Sequence, residues 1–209
     1  MLQTRTAILL LAVALVSASA RPPAAGAAPV VSVRKSTFPL HATTEAGLLA
    51  ELRARGPLVG GRRSFARTRM RSSLSTFLRR TPRGCRIRRG TLRISYTMLL
   101  PRALNERRFP RSVKRRWRAF LKHLAWHENR HISIWTKCAR TAERRIRRLS
   151  APTCGELDRK VRAEWRRVIR SCDRLHDAFD LRERKSALKQ PFLRSALGLD
   201  RRGRRHAAR

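Results

Sequence analysis

The strongest constraint on the fold of this chain is an apolar stripe in its C-terminal half. Across residues 117–149, apolar residues and histidines recur at steps of three or four with arginines between them, which is the pattern of one buried face of a long helix. Pro152 interrupts the pattern, and Thr153 and Glu156 have the spacing of a capping box that begins a second helix. A second stripe covers residues 157–179. The sequence therefore predicts two long helices that pack as a hairpin.

Shorter elements are predicted in the N-terminal half. Residues 36–41 form a first strand, and Thr44 is a helix N-cap for a short helix that ends at Gly56. Apolar residues alternate with polar ones in segments 65–78 and 85–99, which indicates two strands joined by a tight turn. The predicted fold class is α+β, with a small antiparallel sheet packed on the long two-helix hairpin.

The ends of the chain have a different composition. Residues 1–20 combine a positive residue, a short apolar run and a small-x-small ending, as in a secretory signal peptide, and no other segment is long enough to span a bilayer. Residues 21–35 have the composition of a flexible linker, and residues 195–209 form a basic tail that we expect to be disordered. The predicted domain covers residues 36–194 of a secreted protein.

The number and spacing of the cysteines agree with export of the protein from the cytoplasm. Cys85, Cys138, Cys154 and Cys172 form an even set without a C-x-x-C pair, which favours disulfides over a cysteine-based zinc site in a chain that leaves the cytoplasm. Four cysteines allow three pairings, and the sequence does not choose among them. Of these, we favour Cys85 with Cys154 and Cys138 with Cys172.

The chain is strongly basic. Its formal net charge is +38, and arginine outnumbers lysine by 44 to 7. Such a surface attracts polyanions at low salt. The arginines are spread along the whole chain, however, as the coding bias of a GC-rich genome would also produce. An exported protein that coats an anionic cell-wall polymer or nucleic acid, without catalysis, is therefore the main alternative to an enzyme.

The most informative motif is His127-Glu128-x-x-His131, within the first helical stripe. Residues four apart on a helix lie one turn above each other, so both imidazoles can bind one zinc ion. Glu128 would lean toward the open coordination position and accept a proton from an activated water molecule. The alternative is a pair of core histidines with ordinary hydrogen bonds, but burying three polar side chains within five residues is costly without a partner such as a metal ion.

A third zinc ligand is expected on the second helix. If the helices turn at Pro152, the two histidines face the segment CDRLHDAFD, level with Asp173 and Asp177. The same segment contains His176, which lies on the inward stripe and is the preferred ligand by chemistry. Asp180, one turn later, is the alternative ligand or a hydrogen-bond partner for an imidazole.

Several of these segments together resemble a known family. The segments are LLAELRARGP, GCRIRRGTLRISYTMLLP, the W-x-x-F and H-E-x-x-H patterns on one helix, and an aromatic-Asp pair at the end of the next. Over residues 36–180 the chain is similar to the predicted secreted bacterial zinc-dependent proteases of the DUF922 family. The resemblance implies a zincin-like fold and a metallopeptidase activity.

The chain departs from the family pattern at the position that would supply the third zinc ligand. In the family pattern, Thr-x-His-Gly follows the aromatic-Asp pair, whereas LRERKSAL follows Phe179-Asp180 here. The third ligand therefore cannot be carried over from the family. Either His176 or Asp180 takes that role, or the site is incomplete and no longer hydrolytic.

The sequence thus predicts a secreted zinc metallopeptidase. Zn²⁺ is bound by His127, His131 and either His176 or Asp180, with Glu128 as general base, and the substrate is a peptide or protein. The strand at 85–99 could hold that substrate as an added strand. Tyr96 could stabilise an oxyanion, or could simply be a core residue. A zinc amidase acting on peptidoglycan is a further alternative.

Overall fold

The computed structural model describes residues 29–200. The elements, in chain order, are β1 (Val30–Leu40), α1 (Glu45–Arg55), β2 (Leu58–Val59), β3 (Arg62–Arg63), β4 (Arg67–Thr81), β5 (Gly84–Ala103), a 3-10 turn (Glu106–Arg108), α2 (Arg111–Arg147), β6 (Ser150–Ala151), α3 (Cys154–Ala187) and α4 (Pro191–Ala196). The signal peptide predicted at 1–20 lies outside the described residues, as do the first part of the predicted linker and the last part of the predicted tail.

The long helical hairpin is present as predicted. α2 and α3 pack against each other and carry the two apolar stripes on their buried faces. The hydroxyl of Thr153 caps α3 by accepting a hydrogen bond from the backbone N–H of Glu156 at 3.2 Å. α3 continues to Ala187, beyond the point at which the apolar pattern fades.

The sheet is mixed, and the prediction of a purely antiparallel sheet is wrong. β4 and β5 form the predicted antiparallel hairpin, but β1 pairs with β5 in parallel, from Val30 opposite Arg93 to Leu40 opposite Ala103. The pairing is parallel because α1, the small β2–β3 hairpin and β4 together return the chain to the end of the sheet from which β1 starts. Residues 30–35, predicted as linker, are part of this strand.

The strand order also determines which strand has an unpaired edge. β5 pairs with β1 and β6 on one edge and with β4 on the other. Most of the segment 85–99 is therefore paired on both edges, with residues 87–92 unpaired, among the described residues, on the side of β1 and β6, which argues against the hypothesis that it adds a substrate strand. Within residues 29–200 the outer edge of β4 is unpaired, and the start of β4 lines the same cavity as His127 and His131 of α2.

The core beneath the N-terminal half of α2 depends on a helix that the sequence did not predict. Phe192 on α4 is fully buried, and its ring centroid lies 4.8 Å from that of Phe120 and 5.2 Å from that of Trp117. Ser195 donates a hydrogen bond to the buried carboxylate of Glu45. α4 thereby closes the core between α1 and α2.

Two disulfides connect the elements, and the favoured pairing is confirmed. Cys85 is bonded to Cys154, which ties β5 to the start of α3, and Cys138 is bonded to Cys172, which ties α2 to α3. Disulfides persist in oxidising compartments, so they support an extracytoplasmic location. Among the described helices, none has the length and apolarity needed to cross a membrane.

We expect Phe192→Ala to lower the free energy of unfolding by about 3–5 kcal/mol, because it leaves a cavity between two buried aromatic rings. Leu188→Ala removes a side chain that is 58% exposed on the same segment, and it should change the stability by less than about 0.5 kcal/mol. Denaturant unfolding followed by circular dichroism measures both. Equal stabilities for the two variants would contradict the assignment of α4 to the core.

Candidate metal centre

The facing surfaces of α2 and α3 bring the predicted site residues together. His131 contacts His176, and His127 contacts Asp180. This register differs by three residues from the one predicted by mirroring the chain about Pro152, which put His131 level with Asp173. The connection is not a symmetric turn, because it contains β6, which pairs with β5 and moves the start of α3 past the end of α2.

Three side-chain atoms converge between the two helices. Nε2 of His127 lies 3.1 Å from Nε2 of His131, and Oδ1 of Asp180 lies 3.4 Å from the first and 3.1 Å from the second. Zinc holds nitrogen and oxygen ligands at about 2.0–2.1 Å in a tetrahedron, which puts neighbouring ligand atoms about 3.3 Å apart. The three atoms therefore have the separations of one face of a tetrahedral zinc site, and together they could hold a metal ion.

The contacts of Asp180 favour this interpretation over a simple ion pair. Its Oδ1 is buried and makes no well-aligned hydrogen bond, although two imidazole nitrogens lie within 3.4 Å. Burial alone would raise the pKa of Asp180, but the close contacts with His127 and His131 outweigh burial and hold the pKa well below its usual range. Asp180 therefore presents a charged oxygen, as a metal ligand requires.

His176 contacts the opposite side of the His131 ring. Its Nδ1 lies 2.7 Å from Nδ1 of His131, whereas the converging group uses Nε2 of His131. Burial, together with the neighbouring His131, lowers the pKa of His176 to about 4, so its ring is neutral at neutral pH and one ring nitrogen can accept a hydrogen bond. His176 thus has the position of a residue that orients a ligand imidazole.

Glu128 is buried beside this group. It follows His127 directly on α2, and the residue is 5% exposed. Within the described residues it makes no hydrogen bond or ion pair, which is uncommon for a buried carboxylate. It lines the same cavity as His127, His131 and Asp180, so its oxygens can reach a molecule that binds there.

A single open cavity of about 570 Å³ contains all of these side chains. The helices α2 and α3 form one wall, and the start of β4 together with Val59 of the β2–β3 hairpin forms the other. The hairpin turns at Gly60 and Gly61, which have φ values of 55° and 78°, a backbone region that glycine adopts at no steric cost. The site is thus accessible from solvent through a defined cleft.

Three other residues considered from the sequence, Asp173, Asp177 and Tyr96, do not belong to the converging group. Asp173 and Asp177 are exposed and line the cavity without belonging to the converging group. Tyr96 is 1% exposed in the core, and its hydroxyl shares a hydrogen bond with Thr136 at 3.2 Å. It does not line the cavity, so it has the core role rather than that of an oxyanion donor.

Sequence reasoning missed one polar pair at the site. Nε2 of His123 lies 4.0 Å from Oε2 of Glu183, and both side chains are 17% exposed. The pair lies one helical turn from His127 and Asp180 and lines the same cavity. The spacing of four residues between His123 and His127 was the available signal. The partner could not be identified because Glu183 lies beyond the point at which the apolar stripe fades.

The disulfide between Cys138 and Cys172 fixes the relative position of the two helices near the site. Cys138 is two helical turns from His131, and Cys172 is one turn from His176. A covalent link this close prevents α3 from sliding along α2. The side chains of His127 and His131 are therefore held opposite Asp180.

These features define an α+β protein in which a mixed four-stranded sheet packs against a long helix pair that could hold a metal ion between His127, His131 and Asp180. The chain belongs to the DUF922 family, described as a bacterial protein of unknown function, which matches residues 35–186. The resemblance seen in the sequence is thereby confirmed for the family, whose description assigns no activity. No curated protein and no solved structure matches the chain.

We expect the purified protein, stripped with a chelator, to take up one zinc ion per chain. Substituting His127, His131 or Asp180 by alanine removes one corner of the ligand face and should abolish stoichiometric uptake. His176→Ala should retain the stoichiometry but weaken affinity by about 10–100-fold, because it removes only the support for His131. Metal analysis and competition with a chromogenic chelator measure these quantities.

The exposed His41, which lies outside the cavity, supplies the control. His41→Ala should bind zinc as the unmutated protein does. If Asp180→Ala also binds one zinc ion with unchanged affinity, Asp180 is not a ligand.

Proposed function

We propose that this protein is an extracytoplasmic zinc metallopeptidase. The observation that carries the proposal is the convergence of His127 Nε2, His131 Nε2 and Asp180 Oδ1 at the separations of a tetrahedral face, beside a buried Glu128 without a partner. Two imidazoles and a carboxylate form a ligand set found in catalytic zinc sites, which keep the fourth position for water or substrate. The open cavity gives a substrate access to that position.

The chain's own residues account for the proton transfers of amide hydrolysis. When bound, the metal ion polarises the substrate carbonyl and lowers the pKa of a water molecule. Glu128 accepts a proton from that water on a carboxylate oxygen as the water oxygen bonds to the carbonyl carbon. The same proton passes from Glu128 to the amide nitrogen as the carbon–nitrogen bond breaks, so that a carboxylic acid and an amine leave.

Asp180 and His176 divide the roles that the sequence left open. In this proposal Asp180 is the third ligand. His131 donates its Nδ1–H to the neutral His176, which fixes the tautomer that leaves Nε2 of His131 free for the metal. The missing histidine of the family pattern is then replaced by Asp180, one turn further along α3 than His176.

The outer edge of β4 is a candidate binding site for the backbone of a substrate peptide. Ser64 and Ala66, just before this strand, and Thr68 within it line the cavity, and the outer edge of β4 is unpaired among the described residues. An extended peptide can pair with such an edge and lie across the ligand face. A zinc amidase that cleaves peptidoglycan cross-links would use the same proton transfers, so the substrate mixture in the test must include peptidoglycan fragments.

We expect Glu128→Gln to retain one zinc ion and to lower the rate of peptide hydrolysis by about 10²-fold or more, because the amide side chain cannot accept the proton of water. His127→Ala should lose both zinc and hydrolysis. Glu143→Gln changes a glutamate of the same helix outside the cavity and should leave the rate unchanged. Hydrolysis at an unchanged rate by Glu128→Gln would exclude the proposed mechanism.

The alternative function, binding of an anionic polymer, is favoured by one surface of the structure. Arg79, Arg83, Arg86 and Arg88 line a concavity of about 560 Å³ at the end of the β4–β5 hairpin. Their side chains make no hydrogen bond or ion pair within residues 29–200, so their donors are available to phosphate or carboxylate groups. This concavity is remote from the metal-binding cavity, and anion binding there is compatible with the proposed catalysis.

We expect the affinity for a DNA duplex, used as a generic polyanion, to fall steeply with salt. Removing two phosphate contacts with Arg83→Gln/Arg86→Gln should reduce the slope of log K against log salt by about 1.8. Arg53→Gln/Arg55→Gln makes the same charge change at the end of α1 and should reduce the slope less. Fluorescence anisotropy at several salt concentrations measures this, and equal slopes for the two variants would contradict a localised site.

A further inference from the structure

The cavity that contains the ligand group changes in polarity along its length. α2 and α3 run antiparallel past it, so residues pair across the helices in the order His123 with Glu183, His127 with Asp180 and His131 with His176. The converging group is therefore in the middle of the cavity. One end lies toward the start of α2, and the other lies toward the Cys138–Cys172 disulfide.

The end toward the start of α2 has an apolar surface beside the His123–Glu183 pair and Arg184. Phe65, Phe120, Leu124 and Ala187 line it, and the rings of Phe65 and Phe120 are in edge-to-face contact at 5.9 Å between centroids. Val59, at the β2–β3 hairpin, lines the same cavity and is 50% exposed. Phe120 and Leu124 are already buried, so a ligand side chain would cover chiefly Val59 and the half-buried Phe65 and Ala187, at roughly 25 cal/mol per Å² of apolar area removed from water. We call these five residues the apolar subsite.

The end toward the disulfide is acidic. Asp173 and Asp177 lie one helical turn apart on α3, line the cavity and are exposed. Neither makes a hydrogen bond or an ion pair within the described residues. We call this pair the acidic subsite.

The lack of arginine partners at the acidic subsite distinguishes it from most acidic residues outside the cavity. Five acidic residues outside the cavity form ion pairs with arginine, namely Glu45, Glu106, Asp158, Glu164 and Asp200. None of the five that line the cavity does so within residues 29–200, although the chain has 51 basic residues. Of the two arginines that line the cavity, Arg184 lies at the level of His123, and Arg67 donates to the backbone carbonyl of Leu58.

Three of the five acidic residues that line the cavity, Glu128, Asp180 and Glu183, have a positively charged or polar partner when a metal ion is bound. Glu128 and Asp180 offset the charge of a divalent ion, and Glu183 faces His123. Asp173 and Asp177 have no ion-pair partner among the described residues. A chain with a net charge of +38 repels cationic molecules at long range, so a cationic group can be held only where carboxylates are concentrated locally.

We infer that the cavity selects peptides with an apolar side chain on one side of the scissile bond and a lysine or arginine side chain on the other. The apolar side chain occupies the apolar subsite, and the cationic side chain pairs with Asp173 and Asp177. This inference rests on the proposed function, because it takes the ligand group in the middle of the cavity as the point of cleavage. It assigns the substrate class to basic, partly apolar peptides.

The test digests a peptide library, randomised around a central bond, with the zinc-loaded protein and locates the cleavage sites by mass spectrometry. We expect cleavage between an apolar residue and a lysine or arginine. For a peptide with lysine, Asp173→Asn/Asp177→Asn should raise KM by about tenfold, which is the loss of roughly 1.4 kcal/mol of binding. For the matched peptide with norleucine in place of lysine, KM should not change.

Two further variants separate the subsites from general effects. Asp158→Asn/Glu143→Gln removes the same charge at positions outside the cavity and should leave both KM values unchanged. Val59→Asp places a charge at the apolar subsite on an exposed hairpin, and it should raise KM for peptides with an apolar residue without affecting zinc content.

The outcomes distinguish the inference from the proposed function. Cleavage without a preference for basic residues, or a preference that Asp173→Asn/Asp177→Asn leaves intact, would overturn the inference and retain the peptidase. If no library member is cleaved, the proposed function fails, and binding of the lysine and norleucine peptides is compared by fluorescence anisotropy. Equal dissociation constants would then overturn the acidic subsite, whereas about tenfold tighter binding of the lysine peptide would support it.

Discussion

The antiparallel packing of α2 against α3 determines both the core and the site of this protein. Along the buried face of α2, Trp117 and Phe120 pack against Phe192 of α4, His127 and His131 face α3, and Cys138 is bonded to Cys172 of α3. A shift of a single residue in this register would move Asp180 about 100° around its helix, away from the two imidazoles. The disulfide and the β6–β5 pairing act at the same end of the hairpin and prevent that shift.

Fixing the ligands in advance of binding has a chemical consequence. Three polar atoms that lie within 3.4 Å of one another, largely removed from water, cannot all form good hydrogen bonds. The free energy spent in holding them there is recovered when a cation binds. The low pKa of Asp180 and the neutral state of His176 agree with this arrangement, because the carboxylate of Asp180 supplies a charge and the ring of His176 can accept a hydrogen bond from the ring of His131.

A basic surface and an acid-lined cavity coexist in this chain. Most acidic residues outside the cavity are paired with arginines, which neutralises them locally, and those inside the cavity have no arginine partners among the described residues. Charge is therefore distributed unevenly over the surface. The arginine-lined concavity at the far hairpin and the cavity beside His127, His131 and Asp180 have different electrostatic character, and in the functions proposed above the first would bind anions and the second a metal ion and a cationic side chain.

The sequence by itself determined the helical hairpin, the candidate ligands His127 and His131, and the window that contains Asp180, whereas the choice among the three possible disulfide pairings came from the structure. Periodicity and local spacing carry this information, because residues on one helix keep fixed relative positions. The tertiary structure alone decided that β1 is parallel to β5, that α4 inserts Phe192 into the core, and that His127 faces Asp180 rather than Asp173 or Asp177. These features depend on how separate elements meet, and the register of two helices across a connection that contains a strand leaves no periodic signal in the chain.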